Sequence, residues 1–386
     1  MEDEIVEKPK LEQNEIKPEK SEKQKEEELK NELKEELKDI GEIQIVEIKN
    51  EDDLKKLNEN LDRVEITNLQ SPNILKALNT IKFKKLEVLA LSNTNMNSID
   101  FLINENFKSL IIFESKNNKI NSIQKLSEAP FKDLKVLDLS FNEISSIDNL
   151  SKCLFKNLEI LILSNNHIEK INQIAACGFT KLNKLDICNN KITNIDCLVE
   201  NDSLKNLEYL YLSDNNISQI SVLENEIFKN LKELQLDSNK IEKIDVLEKA
   251  PFTELKELYL YNNQIKNIEV FSNVKFNKLN ILNLGRNNIT DIKALEKSKF
   301  TELTKLDLFD NKIKSIEVLK NVPFKQTIKE LDLSYNSLES VDILDDKTFN
   351  FEELRFGGND SLDYSNTKIK EIYDMHKIKY TFESLL

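Results

Sequence analysis

The side chains best suited to acid–base or metal chemistry are the histidines, and the chain has two, His167 and His376. They lie far apart, so they cannot assemble a histidine-based triad or a zinc cluster. The five glycines are scattered apart from the pair Gly357–Gly358, and none belongs to a phosphate-cradling loop. The sequence therefore predicts a protein that is not an enzyme and that uses no cofactor and no metal.

Thiol chemistry is the next candidate, because the chain has four cysteines: Cys153, Cys177, Cys188 and Cys197. Cys153 and Cys177 each precede a phenylalanine by two residues, in adjacent copies of the repeat described below. Stacked copies would bring them close enough for a disulfide to form. The same position elsewhere holds alanine or valine, so a small, half-buried side chain is the favoured interpretation.

The elements that position these residues follow one repeating skeleton, seen most clearly in 131–150. Its members are Phe131, Leu134, Leu137, Leu139, Asn142, Ile144, Ile147 and Leu150. The spacing returns from Phe155, Phe252, Phe276 and Phe300. One asparagine per copy keeps the register: Asn118, Asn142, Asn166, Asn190, Asn215, Asn239, Asn263, Asn287, Asn311, Asn336 and Asn359. A fixed period of this length is typical of a solenoid.

Each part of the skeleton has a physical interpretation. The L-x-x-L-x-L segment ends in two-residue alternation, which predicts a short strand with one buried face. The asparagine turns the chain, because its amide both donates to and accepts from backbone groups. The following I-x-x-I-x-x-L run returns apolar groups to the interior. One copy alone cannot bury enough apolar surface, so neighbouring copies must stack and share a parallel sheet.

The unit LxxLxLxxNxIxxIxxL resembles a leucine-rich repeat over roughly residues 83–359. It is similar to the subclass found in the leucine-rich-repeat regulator of type-1 protein phosphatase and in internalins, with longer units that add a phenylalanine. The resemblance implies an α/β leucine-rich-repeat solenoid. This fold is a curved arc with a parallel sheet on the concave face and short helical, 3₁₀ or irregular segments on the convex side. Because the chain has no conventional catalytic equipment, function is expected on the non-skeleton residues, above all those of the concave face.

Four outward columns run along the predicted sheet. The first column is the residue before the second Leu, the second is the residue between the second and third Leu, and the third and fourth are the pair before Asn. The first begins aliphatic, with Val88, Ile112, Val136 and Ile160. Later copies carry aromatic and acidic residues, which are the candidate partner-binding residues: Tyr209, Tyr211, Tyr259, Tyr261, Phe309, Tyr335, Asp186, Asp214, Asp237, Asp307, Asp310 and Asp332. Tyrosine is common at interface hot spots.

Structural roles compete with binding for these residues. Tyrosine and valine are good strand formers, and cross-strand stacking alone could explain them. A bound partner and the N-terminal segment are equally good explanations of what covers the aliphatic column. However, Asp307 beside Asp332 and Glu114 beside Asp138 place like charges on consecutive strands, which costs stability. We therefore favour partner binding for the aromatic and acidic columns.

Composition divides the chain into four regions. Residues 1–25 are charged and predicted to be disordered, and 26–82 are predicted to form an N-terminal helix and cap. Residues 83–359 hold about 11 repeat units and a degenerate last one, and 360–386 form a C-terminal cap. The helix is expected near 26–40, where four apolar residues share one face.

The predicted function is a non-enzymatic scaffold or regulator that binds a protein partner on the concave face, with regulation of type-1 protein phosphatase as the finer expectation. The alternatives are a surface adhesin of internalin type and a structural component of cilia or the cytoskeleton. A formal charge of −14 disfavours nucleic acid and favours a partner with a basic surface. The start lacks an apolar signal and no long apolar run exists, so we expect an intracellular, monomeric protein, cytoplasmic or nuclear, without membrane insertion.

Overall fold

The computed structural model describes residues 44–365 and 367–376. Within them, 14 strands form one sheet. The strands are β1 (Ile45–Ile48), β2 (Arg63–Thr67), β3 (Val88–Ser92), β4 (Ile112–Glu114), β5 (Val136–Asp138), β6 (Ile160–Ile162), β7 (Lys184–Asp186), β8 (Tyr209–Tyr211), β9 (Glu233–Gln235), β10 (Glu257–Tyr259), β11 (Ile281–Asn283), β12 (Lys305–Asp307), β13 (Glu330–Asp332) and β14 (Glu353–Arg355).

Short helices connect the strands. The α-helices are α1 (Asn73–Thr80), α2 (Gln173–Ala176) and α3 (Thr367–Met375). The 3₁₀ helices are Glu51–Lys56, Asp100–Ile103, Glu105–Phe107, Gln124–Glu128, Leu150–Lys152, Asp196–Val199, Asp202–Leu204, Ser221–Glu224, Glu226–Phe228, Asp245–Glu248, Glu269–Ser272, Lys293–Lys297, Glu317–Asn321 and Asp342–Leu344. None of the helices in the described part of the chain has the length and apolarity that crossing a membrane requires.

The sheet is parallel, and its strands follow one another in sequence order. Equivalent residues of successive repeats are direct neighbours, so that Leu137 of β5 pairs with Leu161 of β6 and Leu282 of β11 pairs with Leu306 of β12. A parallel connection needs a crossover, which the 3₁₀ segments supply on the other side of the core. The predicted parallel-sheet solenoid is therefore confirmed.

The core is a continuous stack of skeleton residues. The phenylalanine that opens each repeat is fully buried at Phe131, Phe155 and Phe179, and its ring stacks on the next, with centroids 5.6 and 6.0 Å apart. Stacked rings add to the stabilisation that area burial provides. The phenylalanine column thus ties the convex side of each repeat to its neighbour.

The asparagine of each repeat is buried and bridges two repeats. Asn142 Nδ2 donates to Leu139 O and Ser140 O of its own turn and to Ser115 O of the preceding repeat. Its Oδ1 accepts from the N–H of Ile120, also in the preceding repeat, at 3.0 Å. One side chain thus makes hydrogen bonds with four backbone groups where the strand ends.

The residue before the asparagine adopts a left-handed backbone in repeat after repeat. Asn117, Asn165 and Asn189 tolerate this conformation well, with φ between 49° and 57°. Phe141, Arg286 and Tyr335 adopt it with bulky side chains, at φ 56°, 52° and 55°. The fourth outward column is therefore set by the turn, and its bulky members are held there against their own preference.

The two ends of the array differ. β1 and β2 belong to the same sheet as the regular repeats, so part of the predicted N-terminal cap continues the solenoid. At the other end α3 buries Ile372 and Tyr373, and the Tyr373 ring stacks on Phe356 at 5.0 Å. The charged tail predicted for 1–25, the helix predicted near 26–40 and the last part of the C-terminal cap lie outside the described residues.

Candidate protein-binding face

Side chains alternate along each strand, so the central Leu points into the core and its two neighbours point to the opposite side, which we call the outer face. Register aligns these neighbours into ladders across β10–β14. The first column runs Glu257, Ile281, Lys305, Glu330 and Glu353. The second column runs Tyr259, Asn283, Asp307, Asp332 and Arg355. Both predicted outward columns are therefore continuous ladders.

The outer face of β4–β6 is buried. Ile112, Val136 and Ile160 are at most 1% exposed, and Ile162 is fully buried, although none of them belongs to the hydrophobic core cluster. No open surface remains for a partner at these side chains. The alternative that the N-terminal segment covers this column involves residues 26–43, which lie outside the described residues.

Burial continues over the outer face of β7–β9. Lys184 belongs to the first column, which is aliphatic on the preceding strands, and is 2% exposed. Its Nζ lies 4.6 Å from the ring centroid of Tyr211. Tyr211 and Asp186 are also buried, whereas Tyr209 is half-buried. Two of the candidate binding residues, Tyr211 and Asp186, are thus placed where solvent barely reaches.

The outer face of β10–β14 and its turns is different, and we call it the carboxyl-terminal outer face. Its first column is half-buried throughout, as are the second-column residues Tyr259, Asn283 and Arg355. Three further candidate aromatics project from the turns beside it, and each is half-buried: Tyr261, Phe309 and Tyr335. Four of the six predicted aromatic residues therefore lie on this accessible part of the sheet.

Local contacts hold these rings in place. Tyr259 Oη donates to Glu257 Oε2 at 2.7 Å, and burial raises the Tyr259 pKa above its usual range. Phe309 meets Tyr335 edge to face, with ring centroids 5.3 Å apart. The rings are therefore fixed by neighbours, which lowers the entropy they lose when a partner binds.

Two glycines make room for two of the rings. A Cβ on Gly285 would lie 2.9 Å from the Tyr261 ring, and one on Gly358 would lie 2.8 Å from the Tyr335 ring. Each glycine occupies the same column as its aromatic, one repeat later. The aromatic residue consequently leans over the next repeat, and any larger residue there would displace it.

The second-column aspartates have a structural role that the sequence analysis did not foresee. Asp186, Asp307 and Asp332 each accept a hydrogen bond from the backbone N–H two residues later, at Cys188, Phe309 and Ser334, with distances of 2.9–3.0 Å. Such Asx-type bonds satisfy a donor at the strand end. Asp237, in the third column, instead accepts a hydrogen bond from the backbone N–H of Tyr261 in the next repeat, at 2.7 Å.

Two of these aspartates are in direct register, as the sequence predicted. Asp307 and Asp332 are adjacent on β12 and β13, and both are at most 8% exposed. Burial first and the Asp332 charge second raise the pKa of Asp307 to about 7, and burial also raises the pKa of Asp332. The same like-charge arrangement occurs at Glu114 and Asp138, where Lys116 Nζ lies 3.4 Å from Asp138 Oδ2.

Acidic side chains also reach solvent beside the sheet. Asp214 and Asp310 are exposed and occupy the left-handed column, with φ of 54° and 49°. Asp310 Oδ2 lies 3.4 Å from Arg286 Nε, a surface pair of small energetic value. The predicted acidic rim therefore consists of these exposed residues, while Asp186, Asp307 and Asp332 form part of the floor.

Several residues of the face escaped the sequence analysis. Lys184, Gln235 and Arg355 stand in outward columns from which the sequence analysis names only aliphatic, aromatic and acidic members. Reading every residue down each column would have found them, and it would also have found each glycine that follows an aromatic by one repeat. Within residues 44–365 and 367–376, no group of three or more His, Cys, Asp or Glu side chains is arranged to hold a metal.

The geometry agrees with the comparison to known families. A leucine rich repeat model matches 156–217, and a two-copy leucine rich repeat model matches 132–176, 205–249, 229–273, 253–297 and 277–321. These matches coincide with the stacked parallel strands. The chain is a leucine-rich repeat protein. No match was found among curated proteins.

Solved leucine-rich repeat structures share the fold. The internalin InlF of Listeria monocytogenes is 22% identical, with a TM-score of 0.61 over 81% of this chain and 87% of that one. A leucine-rich repeat protein of Leptospira interrogans is 20% identical, with a TM-score of 0.67 over 87% and 90%. The ectodomain of the Arabidopsis thaliana receptor kinase GASSHO1/SCHENGEN3, solved with CASPARIAN STRIP INTEGRITY FACTOR 2, is 20% identical, with a TM-score of 0.58 over 84% and 42%. Likeness at this identity establishes the fold.

Proposed function

We propose that this leucine-rich repeat protein is a non-enzymatic scaffold or regulator that binds a protein partner on the carboxyl-terminal outer face. The observation that carries the proposal is the group of half-buried rings there: Tyr259, Tyr261, Phe309 and Tyr335. Aromatic side chains that are partly exposed and held by neighbours are typical anchors of protein interfaces. The outer face of β4–β9 is more buried, since Tyr211 is 3% exposed, and its more accessible rings, Tyr209 and Phe141, lie on separate repeats.

Charge supports a basic partner. The chain has a formal net charge of −14, and Asp310 and Glu353 add partly exposed carboxylates beside the rings. Opposite charge on the partner accelerates encounter and fixes orientation. Arg286 and Arg355 interrupt the acidic surface, so the complementary pattern on the partner is mainly basic and includes acidic positions.

Finer functions stay predictions from the sequence. Regulation of a type-1 phosphatase rests on a subclass resemblance, and no contact described above is specific to a phosphatase. Adhesion of internalin type rests on a shared fold at 22% identity. A cytoskeletal role and an intracellular location are likewise predictions. The identity of the protein captured in the experiment below distinguishes these functions.

Site-specific photo-crosslinking tests the proposal. A benzophenone amino acid replaces Phe309 in one version of the protein and Lys266, an exposed residue of a return segment, in the matched control. Expressed in cells of the source organism, the Phe309 version is expected to crosslink one defined protein that the Lys266 version does not. Equal crosslinking at both positions, or none at Phe309, would refute the assigned face.

A further inference from the structure

Asp307 is a buried carboxylate without an ion-pair partner among the described residues. The residue is 5% exposed, and its Oδ1 accepts a hydrogen bond from Phe309 N–H at 2.9 Å. No described residue donates a hydrogen bond to Oδ2 or forms an ion pair with the carboxylate. Ionised groups in such surroundings normally have a cationic partner, because removing the charge from water is costly.

The neighbouring cations are engaged elsewhere. Lys305, on the same strand, places Nζ 2.7 Å from Glu330 Oε2. Arg355, one strand beyond Asp332, reaches Asp332 Oδ2 with Nη1 at 3.5 Å and pairs with Glu353 through Nη2. The register Asp307, Asp332, Arg355 thus has one arginine for two carboxylates, and the arginine lies on the far side of Asp332 from Asp307.

Aromatic rings flank the same carboxylate. Phe309, two residues along, meets Tyr335 edge to face, and Tyr261 leans over Gly285 from the other side. A Cβ on Gly285 would lie 2.9 Å both from Asp307 Oδ1 and from the Tyr261 ring, so the glycine leaves the carboxylate and the ring side by side. A carboxylate beside aromatic rings suits a cationic side chain, which the acid pairs and the rings attract through cation–π interactions; the Arg286 guanidinium already lies 6.0 Å from the Tyr261 ring centroid.

We propose that a lysine or arginine side chain of the bound partner inserts between these rings and pairs with Asp307, with Asp332 as the second carboxylate. This inference rests on the proposed function, because the cation belongs to the protein that occupies the carboxyl-terminal outer face. It assigns to Asp307 the recognition of a single basic residue of the partner. Specificity for the partner should then be strictest at that basic residue.

A peptide titration tests the assignment before the partner is known. The probe is a short fluorescein-labelled peptide of alternating alanine and lysine, with an arginine version and an Nε-acetyl-lysine version, and the readout is fluorescence anisotropy at pH 8. The protein variants are Asp307→Asn and the control Glu317→Gln, which removes one charge from an exposed carboxylate of the same repeat, on its return segment. Thermal melts confirm that both variants fold.

The wild type and Glu317→Gln are expected to bind the lysine and arginine peptides alike and to reject the acetylated one. Asp307→Asn is expected to bind the cationic peptides about tenfold more weakly, as the loss of one charged hydrogen bond predicts. Equal losses in the two variants would overturn the inference, because the effect would then be the general acidity of the surface. Equal losses would not change the crosslinking expected at Phe309. The peptide titration therefore tests the inference, and the crosslinking experiment tests the proposed function separately.

Discussion

Replacing Asp307 with asparagine should make the protein more stable at neutral pH. The carboxylate is 5% exposed and adjacent to Asp332, and these surroundings raise its pKa from 3.8 to about 7. Asparagine keeps the shape and the acceptor for Phe309 N–H but has no charge to bury. A side chain that lowers stability and yet occupies a candidate interface is typical of a residue kept for binding.

The sign and size follow from proton linkage. Between pH 4 and 7 the unfolded chain loses the Asp307 proton while the folded protein retains it, so the folded state binds more protons and stability falls as pH rises. Above pH 7 the full penalty applies. A difference of about 3 pKa units at about 1.4 kcal/mol each gives a penalty of at most about 4 kcal/mol. Between pH 5 and 8 the wild type should lose about 3 kcal/mol relative to Asp307→Asn.

Urea denaturation at pH 5, 6, 7 and 8 measures this difference, with Asp310→Asn as the control. The free energies of unfolding of wild type and Asp307→Asn should diverge with rising pH, whereas wild type and the control should run parallel. Groups that do not interact with Asp307 titrate alike in both proteins and cancel in the comparison, whereas Asp332 titrates together with Asp307 as a pair. A difference that is constant from pH 5 to 8, or a variant less stable than wild type at pH 8, would refute the reasoning.

Three further predictions concern the array, each measured by urea denaturation. Asn239→Ala should cost about 2–3 kcal/mol, because the N–H of Ile217 loses its acceptor at 2.9 Å inside the protein; a cost below 1 kcal/mol contradicts the bridging role. Phe155→Ala should lower the free energy of unfolding by about 3–5 kcal/mol, because it leaves a cavity in the ring stack; a loss as small as that of a surface substitution would mean that the neighbouring rings fill the cavity. Gly358→Ala should cost about 1–2 kcal/mol, since φ is 67° and the new Cβ would meet the Tyr335 ring; an unchanged midpoint would show that the ring moves aside.

The sequence predicts the fold well because the skeleton is redundant. Each copy repeats the same burial pattern, so the period, the parallel sheet and the register of Asp307 against Asp332 follow from counting. The asparagine column is equally readable, since a side chain that both donates and accepts is needed wherever a strand ends inside the protein. These features depend on local spacing, and local spacing is what a single sequence contains.

The binding face is less predictable because accessibility is not local. Tyr211 and Tyr259 share one column and similar surroundings in sequence, yet the first is 3% exposed and the second is half-buried. From the sequence alone, Asp307 resembles an ordinary surface acid. Its burial and the hydrogen bond that it accepts from Phe309 N–H depend on how the turn folds back. The left-handed backbone at Tyr335 is likewise set by the turn and not by its own residue type.

The most direct test of the central claim is the dissociation constant of the protein captured at Phe309, measured by calorimetry with wild type, with the double variant Tyr259→Ala/Phe309→Ala, and with Lys266→Ala. If the carboxyl-terminal outer face binds the partner through its aromatic residues, the double variant should bind at least about 30-fold more weakly, the loss of about 2 kcal/mol expected of a hot spot. Lys266→Ala should bind like wild type. A correctly folded double variant with unchanged affinity would contradict the account and place the partner on another surface.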